Sequence, residues 1–387
     1  MNIKQSIKKI LTCATASAMT LCLTMPTAFA DDTKNNATEA YISKTYNTEV
    51  GKAETFSFTA TPVTGEGLVS KEADLTMPNI SFTDNETVTK TKRAKITFPT
   101  FSQEGKYEYT VTESSTLSDP VDESNEHEKM IMSQAEYKMD VYVFNNNGAC
   151  EITKIIVNKT KDDKGNAATG KVDIGDSGTN GFSFTNTYVQ EGGTGENPKI
   201  PDSTYENDGS FDVSKTIVAS EEGATIDPNK EFTFTASFVF PTGTDKDTLG
   251  GIKQTIDTTT KDVEFAENNT YTFKLKHEQN IKFIKIPVGT KVTVTESATP
   301  NYKGSATVKM NNIGESTSTS ATKYNENLTI SDKTIGQKDN KISVTNTYNS
   351  VPTTGIIMNT LPYVMMIVLG GVALVGYIYL KNKKYSD

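Results

Sequence analysis

The sequence predicts an all-β protein of two tandem domains, each of β-sandwich size, followed by an apolar helix long enough to cross a membrane. Three observations carry this reading. Thr, Val, Phe and Tyr recur at period two through the middle of the 387-residue chain, with no long helical pattern. Four short landmarks occur twice in the same order. An apolar stretch, interrupted only weakly by Asn359 and Pro362, runs from Ile356 to Leu380.

In chain order, residues 1–30 read first, as an export signal. Lys4, Lys8 and Lys9 precede an apolar run from Ile10 to about Leu23, and Ala28-Phe29-Ala30 places small residues where a signal peptidase needs them. The run is too short for an uncleaved anchor, so the mature chain is expected to begin near Asp31.

The repeated landmarks set the next boundaries. Ser43-Lys44-Thr45 corresponds to Ser214-Lys215-Thr216, and the F-x-F-T-A run at Phe56–Ala60 to that at Phe232–Ala236. Val111-Thr112-Glu113-Ser114 corresponds to Val294-Thr295-Glu296-Ser297, and the run ending Asn186-Thr187-Tyr188 to that ending Asn346-Thr347-Tyr348. Unequal spacing between landmarks is what loop insertions produce. The domains are therefore placed at 31–190 and 210–350. Residues 191–209, rich in Gly, Pro, Asn and acidic side chains, read as a linker. The polar stretch Asp122–Gln134 reads as a short helix or a loop.

At the C-terminus, Val351-Pro352-Thr353-Thr354-Gly355 occupies 351–355, the apolar helix 356–380, and a basic tail with Lys381, Lys383 and Lys384 occupies 381–387. Twenty-five residues at about 1.5 Å rise cross a hydrocarbon core of about 30 Å, and the lysines are expected on the cytoplasmic side. The pentapeptide resembles the LPxTG cell-wall sorting signal, with Val in place of Leu. That resemblance implies cleavage by a sortase between Thr354 and Gly355 and transfer to the wall. Proline favours an extended approach and glycine gives access to the scissile bond.

Without signal and tail, the chain keeps 33 basic and 47 acidic residues, a net charge of about −14. An acidic surface of this size argues against nucleic acid as a partner. Cys13 and Cys22 fall in the signal, so Cys150 alone remains and no internal disulfide can form. An exported chain without disulfides must draw its stability from another source. Two histidines, no tryptophan, and no HExxH, CxxC or GxSxG motif leave a hydrolase or metal enzyme without support. No metal or cofactor is expected.

Strand parity then selects the residues that face inward. Ile42, Lys44 and Tyr46 share a face, as do Val213, Lys215 and Ile217. Tyr109, Val111 and Glu113 share another, as do Val292, Val294 and Glu296. Phe184, Asn186 and Tyr188 line up, as do Val344, Asn346 and Tyr348. Each copy thus sends one lysine, one glutamate and one asparagine among apolar side chains, where an unpartnered polar group costs several kcal/mol. A hydrogen-bonded ion pair, or groups half-solvated at strand ends, fits this pattern. So does a self-formed isopeptide bond. Burial lowers a lysine's pKa and frees its lone pair, a buried glutamate with a raised pKa carries protons, and the amine displaces ammonia from the asparagine side chain.

With these residues in place, the chain resembles the two-domain backbone pilins of sortase-assembled Gram-positive pili, of the streptococcal T-antigen type. Tyr109-Thr110-Val111-Thr112-Glu113 is similar to that family's glutamate box, and Lys291–Glu296 is a variant without the tyrosine. The resemblance implies tandem immunoglobulin-like sandwiches and two bonds, Lys44–Asn186 catalysed by Glu113 and Lys215–Asn346 catalysed by Glu296. It implies a structural, non-enzymatic subunit at the cell surface, anchored to peptidoglycan. Its partners would be a sortase, identical subunits in a covalent polymer, minor pilins and a host ligand. The inter-subunit linkage would join Thr354 to a lysine late in the first domain. Lys171 matches best in position, with Lys159, Lys161 and Lys164 in the same stretch. A monomeric wall-anchored adhesin is the alternative from a different class.

Overall fold

The computed structural model describes residues 37–349 except 70–72, 123, 176–179, 223 and 313–316. The expected signal, sorting motif with Thr354 and Gly355, membrane span and basic tail lie outside the described residues. Among the described residues no helix is long and apolar enough to cross a membrane.

The described chain is all-β. In its first half, the strands Val88–Lys95, Tyr41–Thr48, Phe182–Gln190 and Glu128–Ile131 form one sheet in that spatial order. A second sheet runs Ala167–Val172, Ala149–Lys161, Glu136–Asn146, Gly105–Glu113, Phe58–Val63. A short ribbon pairs Glu54–Phe56 with Ile80–Phe82. In the second half, a seven-stranded sheet runs Thr259–Asp262, Lys253–Ile256, Asn280–Ile284, Phe211–Ala219, Lys341–Tyr348, Tyr302–Lys309, Thr317–Ser320. A four-stranded sheet runs Thr270–Leu275, Phe232–Val239, Lys291–Glu296, Leu328–Thr334.

Period-two alternation produces this layering. Along Gly105–Glu113 the buried residues are Tyr107, Tyr109 and Val111, and along Phe232–Val239 they are Phe232, Phe234, Ala236 and Phe238. They meet residues of the facing sheet, Ile42, Phe182 and Phe184 in the first half and Val213, Ile342 and Val344 in the second, in two separate apolar cores. Each large apolar side chain contributes about 1.5–3 kcal/mol by leaving water.

The first and last strands of each half are neighbours and run parallel. Lys44 stands opposite Phe184 and Tyr46 opposite Asn186. Lys215 stands opposite Val344 and Ile217 opposite Asn346. Parallel pairing of strands so distant in sequence is costly in loop-closure entropy, so each half depends on what holds these two strands together.

Two stretches differ from their sequence reading. Asp122–Gln134 contains the strand Glu128–Ile131, which extends the first sheet by pairing with Thr187–Gln190. Pairing at a sheet edge overrides the polar composition that suggested helix or loop. The stretch 191–209, read as a linker, is packed at its start. Glu191 and Thr194 are fully buried, and Gly192, Gly193 and Gly195 donate backbone hydrogen bonds to Ile286, Gly336 and Gln337 of the second half. Gly193 has φ 78°, and a Cβ there would stand 2.1 Å from the Gly209 carbonyl oxygen, so only glycine fits. A single helical turn, Tyr205–Asp208, follows.

Glu191 is the hub of this junction. Its carboxylate accepts from Tyr205 Oη (2.5 Å), Ser210 Oγ (2.7 Å) and the Lys285 backbone N–H (2.5 Å), and lies 2.8 Å from His127 Nδ1. Burial pushes its pKa up, but the contacts from His127, Tyr205, Lys285 and Ser210 outweigh burial and hold it below the ordinary carboxylate value. A depressed folded pKa contributes stability that is present above the unfolded value near 4.3 and is lost as pH falls through the folded one. Wild type is therefore expected to lose more melting temperature than Glu191→Gln between pH 5 and pH 3. At neutral pH the variant is expected to be about 1–3 kcal/mol less stable. Calorimetry across that pH range checks both.

Candidate functional site

Each half brings one lysine, one glutamate and one asparagine together between its two sheets. Lysine and asparagine come from the parallel first and last strands, two positions apart on the same face. The glutamate comes from the opposite sheet, on Gly105–Glu113 or Lys291–Glu296. Register fixes it there: Glu113 pairs with Phe58 and Glu296 with Phe234, the second phenylalanine of each F-x-F-T-A run. The first phenylalanine lies beneath the amine, with Lys44 Nζ 4.2 Å from the Phe56 ring centre and Lys215 Nζ 4.2 Å from that of Phe232.

In the first half, Lys44 Nζ stands 2.7 Å from Glu113 Oε1, and Asn186 Nδ2 donates to the same oxygen at 2.9 Å. The Lys44–Glu113 contact is a buried ion pair, and Glu113 Oε2 accepts nothing from the described residues. The side chains of Lys44 and Glu113 are 0% and 1% exposed, and Asn186 is 0% exposed. Asn186 Nδ2 also lies 3.3 Å from Met132 Sδ, and its carbonyl oxygen accepts from the Ser133 backbone N–H at 2.7 Å.

In the second half, Lys215 Nζ stands 2.9 Å from Glu296 Oε1, and Asn346 Nδ2 donates to that oxygen at 2.7 Å. All three side chains are buried. Asn346 Oδ1 has no hydrogen-bond donor among the described residues.

Burial drives the electrostatics of both clusters. It pulls the Lys44 and Lys215 amines down to about 8, against the opposing pull of Glu113 and Glu296. It pushes Glu113 and Glu296 up, against the opposing pull of their lysines. Both shifts favour the neutral pair, because passing the proton from ammonium to carboxylate removes two charges from a dry interior. That transfer leaves a nucleophilic amine beside a side-chain amide. The carboxyl oxygen between them touches both the incoming and the departing nitrogen, which is the placement a proton shuttle needs.

A profile for the Spy0128-like isopeptide containing domain family matches residues 40–189. Residues 40–189 are thus similar to that isopeptide-domain family. The match agrees with the isopeptide-domain resemblance carried by Lys44, Glu113 and Asn186. Residues 209–348 match a domain of unknown function, DUF7601. No curated protein matches the chain. Among solved structures, the major pilin of Streptococcus pyogenes is similar at 19% identity, covering 81% of this chain and 100% of that one, with a TM-score of 0.30. The T3.2 major pilin of the same organism is similar at 19% identity, covering 81% of this chain and 98% of that one, with a TM-score of 0.30. A pilus-presented adhesin is similar at 16% identity over 56% of this chain and 36% of that one, with a TM-score of 0.24.

The first half also holds the candidate acceptor. Lys171 is exposed on the edge strand Ala167–Val172, opposite Asn158, and makes no ion pair among the described residues. Lys159 and Lys161 instead face Asp163 at 3.9 Å and Glu136 at 2.9 Å. Cys150 is a free, partly buried thiol. Among the described residues no three His, Cys, Asp or Glu side chains converge to hold a metal.

Four residues at the two sites escape sequence reading. Phe56 and Phe232 stand in the repeat as landmarks, and parity alone gives no reason to put them under an amine. Ser133 acts through its backbone, to which side-chain identity is silent. Gly304, opposite Asn346, has no counterpart in the repeated landmarks. A Cβ there would stand 3.1 Å from Glu296 Oε2 and 3.2 Å from Asn346 Oδ1. Gly304→Val is expected to cost about 1–3 kcal/mol by overpacking and to lower cross-linking at Lys215 while sparing Lys44. Quantifying the two cross-linked peptides by mass spectrometry checks this.

Proposed function

We propose that the chain is the structural backbone subunit of a cell-surface pilus, built from two immunoglobulin-like sandwiches that each stitch themselves with a lysine–asparagine isopeptide bond. The observation that carries this reading is the same buried arrangement met twice: an amine, a carboxyl and a carboxamide held on one shared oxygen between first strand, last strand and opposite sheet.

In the proposed reaction the Lys44 proton passes to Glu113. The neutral amine attacks Asn186 Cγ, forming the Nζ–Cγ bond. Glu113 takes a proton from the attacking nitrogen and gives one to Nδ2. The Cγ–Nδ2 bond breaks and ammonia leaves. Lys215, Glu296 and Asn346 do the same in the second half. No cofactor enters. Each triad acts once, on its own chain, so the protein is not an enzyme in the turnover sense.

Assembly follows from the ends of the sequence. A sortase cleaves between Thr354 and Gly355 and passes the Thr354 carbonyl to a lysine amine of the next subunit. Lys171 is the proposed acceptor, because it is exposed on an edge strand and makes no ion pair among the described residues. The finished polymer, with minor pilins, is joined to peptidoglycan of a Gram-positive cell wall, where it meets host ligands.

Intact mass of the mature chain tests the chemistry: loss of two ammonias is expected, and loss of one in Glu113→Ala. A chain at its full sequence mass would overturn it. Denaturing gels of wall extracts test the assembly. A high-mass ladder is expected, abolished by Thr354→Ala, whereas a single anchored band would favour the monomeric adhesin.

A further inference from the structure

The two sites differ on the side of the amide where negative charge develops. When an amine attacks a carboxamide, the carbonyl oxygen becomes an oxyanion, and a fixed N–H aimed at it lowers the barrier. Asn186 Oδ1 has such a donor, the Ser133 backbone N–H at 2.7 Å. Asn346 Oδ1, equally buried, has none among the described residues. The glutamate does not fill this role in either half, because Glu113 and Glu296 both contact the amide nitrogen.

The cause lies in the neighbouring strand. In the first half, Glu128–Ile131 stops one residue short of Asn186, pairing Ile131 with Thr187. The chain then turns inward at Met132-Ser133. In the second half, Tyr302–Lys309 runs on past the site and sets Gly304 opposite Asn346, so no turn delivers an N–H.

Asp163 holds the turn in place. Its Oδ1 accepts from Ser133 Oγ at 2.5 Å and from the Thr185 backbone N–H at 2.8 Å, next to Asn186 on the last strand. Its carbonyl oxygen accepts from the Gln134 N–H at 3.0 Å, and Ser133 Oγ accepts from the Ala135 N–H at 3.2 Å. One side chain thus ties the donor's turn to the strand that carries the electrophile.

We infer that the Ser133 backbone N–H is the oxyanion donor for attack on Asn186, that Asp163 is its positioning residue, and that the first bond consequently forms faster than the second. This rests on the self-bonding reading above. During the step, charge that builds on Oδ1 is stabilised by Ser133 and returns to the carbonyl when the Cγ–Nδ2 bond breaks. The atom balance is unchanged.

The test is a pulse-chase of the full-length chain in cell-free synthesis, with aliquots quenched in denaturant, digested, and both cross-linked peptides measured over time. In wild type, the Lys44–Asn186 peptide is expected to accumulate about tenfold or more ahead of Lys215–Asn346. Ser133→Pro removes the N–H and is expected to slow the first site about a hundredfold, while Ser133→Ala, which keeps the N–H but loses the Oγ contact to Asp163, is expected to slow it no more than Asp163→Ala does. Asp163→Ala is expected to slow the first site about tenfold, with Asp163→Asn, which keeps an oxygen acceptor, restoring most of the rate. The second site serves as the internal control and should not move. Should Ser133→Pro fail to fold, the Asp163 pair decides the matter. Equal rates at the two wild-type sites, or a folded Asp163→Ala with an unchanged first-site rate, would overturn the inference alone. Absence of both cross-links in wild type would instead remove the covalent chemistry on which it rests.

Discussion

Asn186→Ala is expected to lower the melting temperature of the first half by about 10–20 °C, and Asn346→Ala to do the same to the second. The proposed bond between Lys44 and Asn186 would close a loop of roughly 140 residues. In the chain-entropy picture used for disulfides, a cross-link of that span removes about 5 kcal/mol of freedom from the unfolded chain. In a domain of about 150 residues, 1 kcal/mol corresponds to about 2–4 °C. Glu113→Ala should be at least as damaging. It abolishes the bond and also leaves the Lys44 amine, fully buried and without its partner, in a place where an unpaired charge costs about 3–5 kcal/mol. Calorimetry on wild type and the three variants, with intact mass recorded on the same samples, checks the expectation. A shift below about 5 °C in a variant whose mass shows that the bond is gone would mean that non-covalent packing alone holds the parallel strands together.

Much of this site was legible in the sequence because two periodicities coincide there. Strand parity put Lys44, Glu113 and Asn186 on inward faces, the repeat put Lys215, Glu296 and Asn346 in the same places, and all six side chains are buried. The order of landmarks also suggested two halves, and the described residues form two apolar cores. What parity cannot give is register. That Glu113 pairs with Phe58, or that Lys44 lies two positions from Asn186 across a parallel pairing, depends on which strands become neighbours. The strand Glu128–Ile131 was hidden for the same reason, since its pairing, not its composition, makes it a strand. The packing at the start of 191–209 was not legible because glycines that mark a loop also permit close backbone approach, as at Gly193 against Gly209. Glu191 is flanked directly by Gln190 and Gly192, which give no signal of its burial.

The second large effect is mechanical. A mature wild-type chain pulled from its two ends is expected to resist extension of either half, because force entering near Lys44 crosses the isopeptide bond to Asn186 and leaves the polypeptide between them unloaded. The same holds from Lys215 to Asn346. Without its bond, each half would release roughly 130–140 residues, or about 450 Å at the ~3.3–3.6 Å that an extended residue spans. Force spectroscopy on wild type should therefore show no unfolding steps of that length, and Glu113→Ala with Glu296→Ala should show two. A wild-type trace containing such steps would sink the idea. The geometry sharpens the expectation for a fibre. If the next subunit is attached at Lys171, load enters the first half only fifteen residues before Asn186 and bypasses Lys44, whereas the second half is crossed from Lys215 to Asn346 in full. Losing the second bond should then weaken a fibre more than losing the first, although the first bond is the one with the better-built site. Kinetic advantage and mechanical demand would fall on different halves, with the first bond securing the half that presents the acceptor lysine and the second bearing the pull.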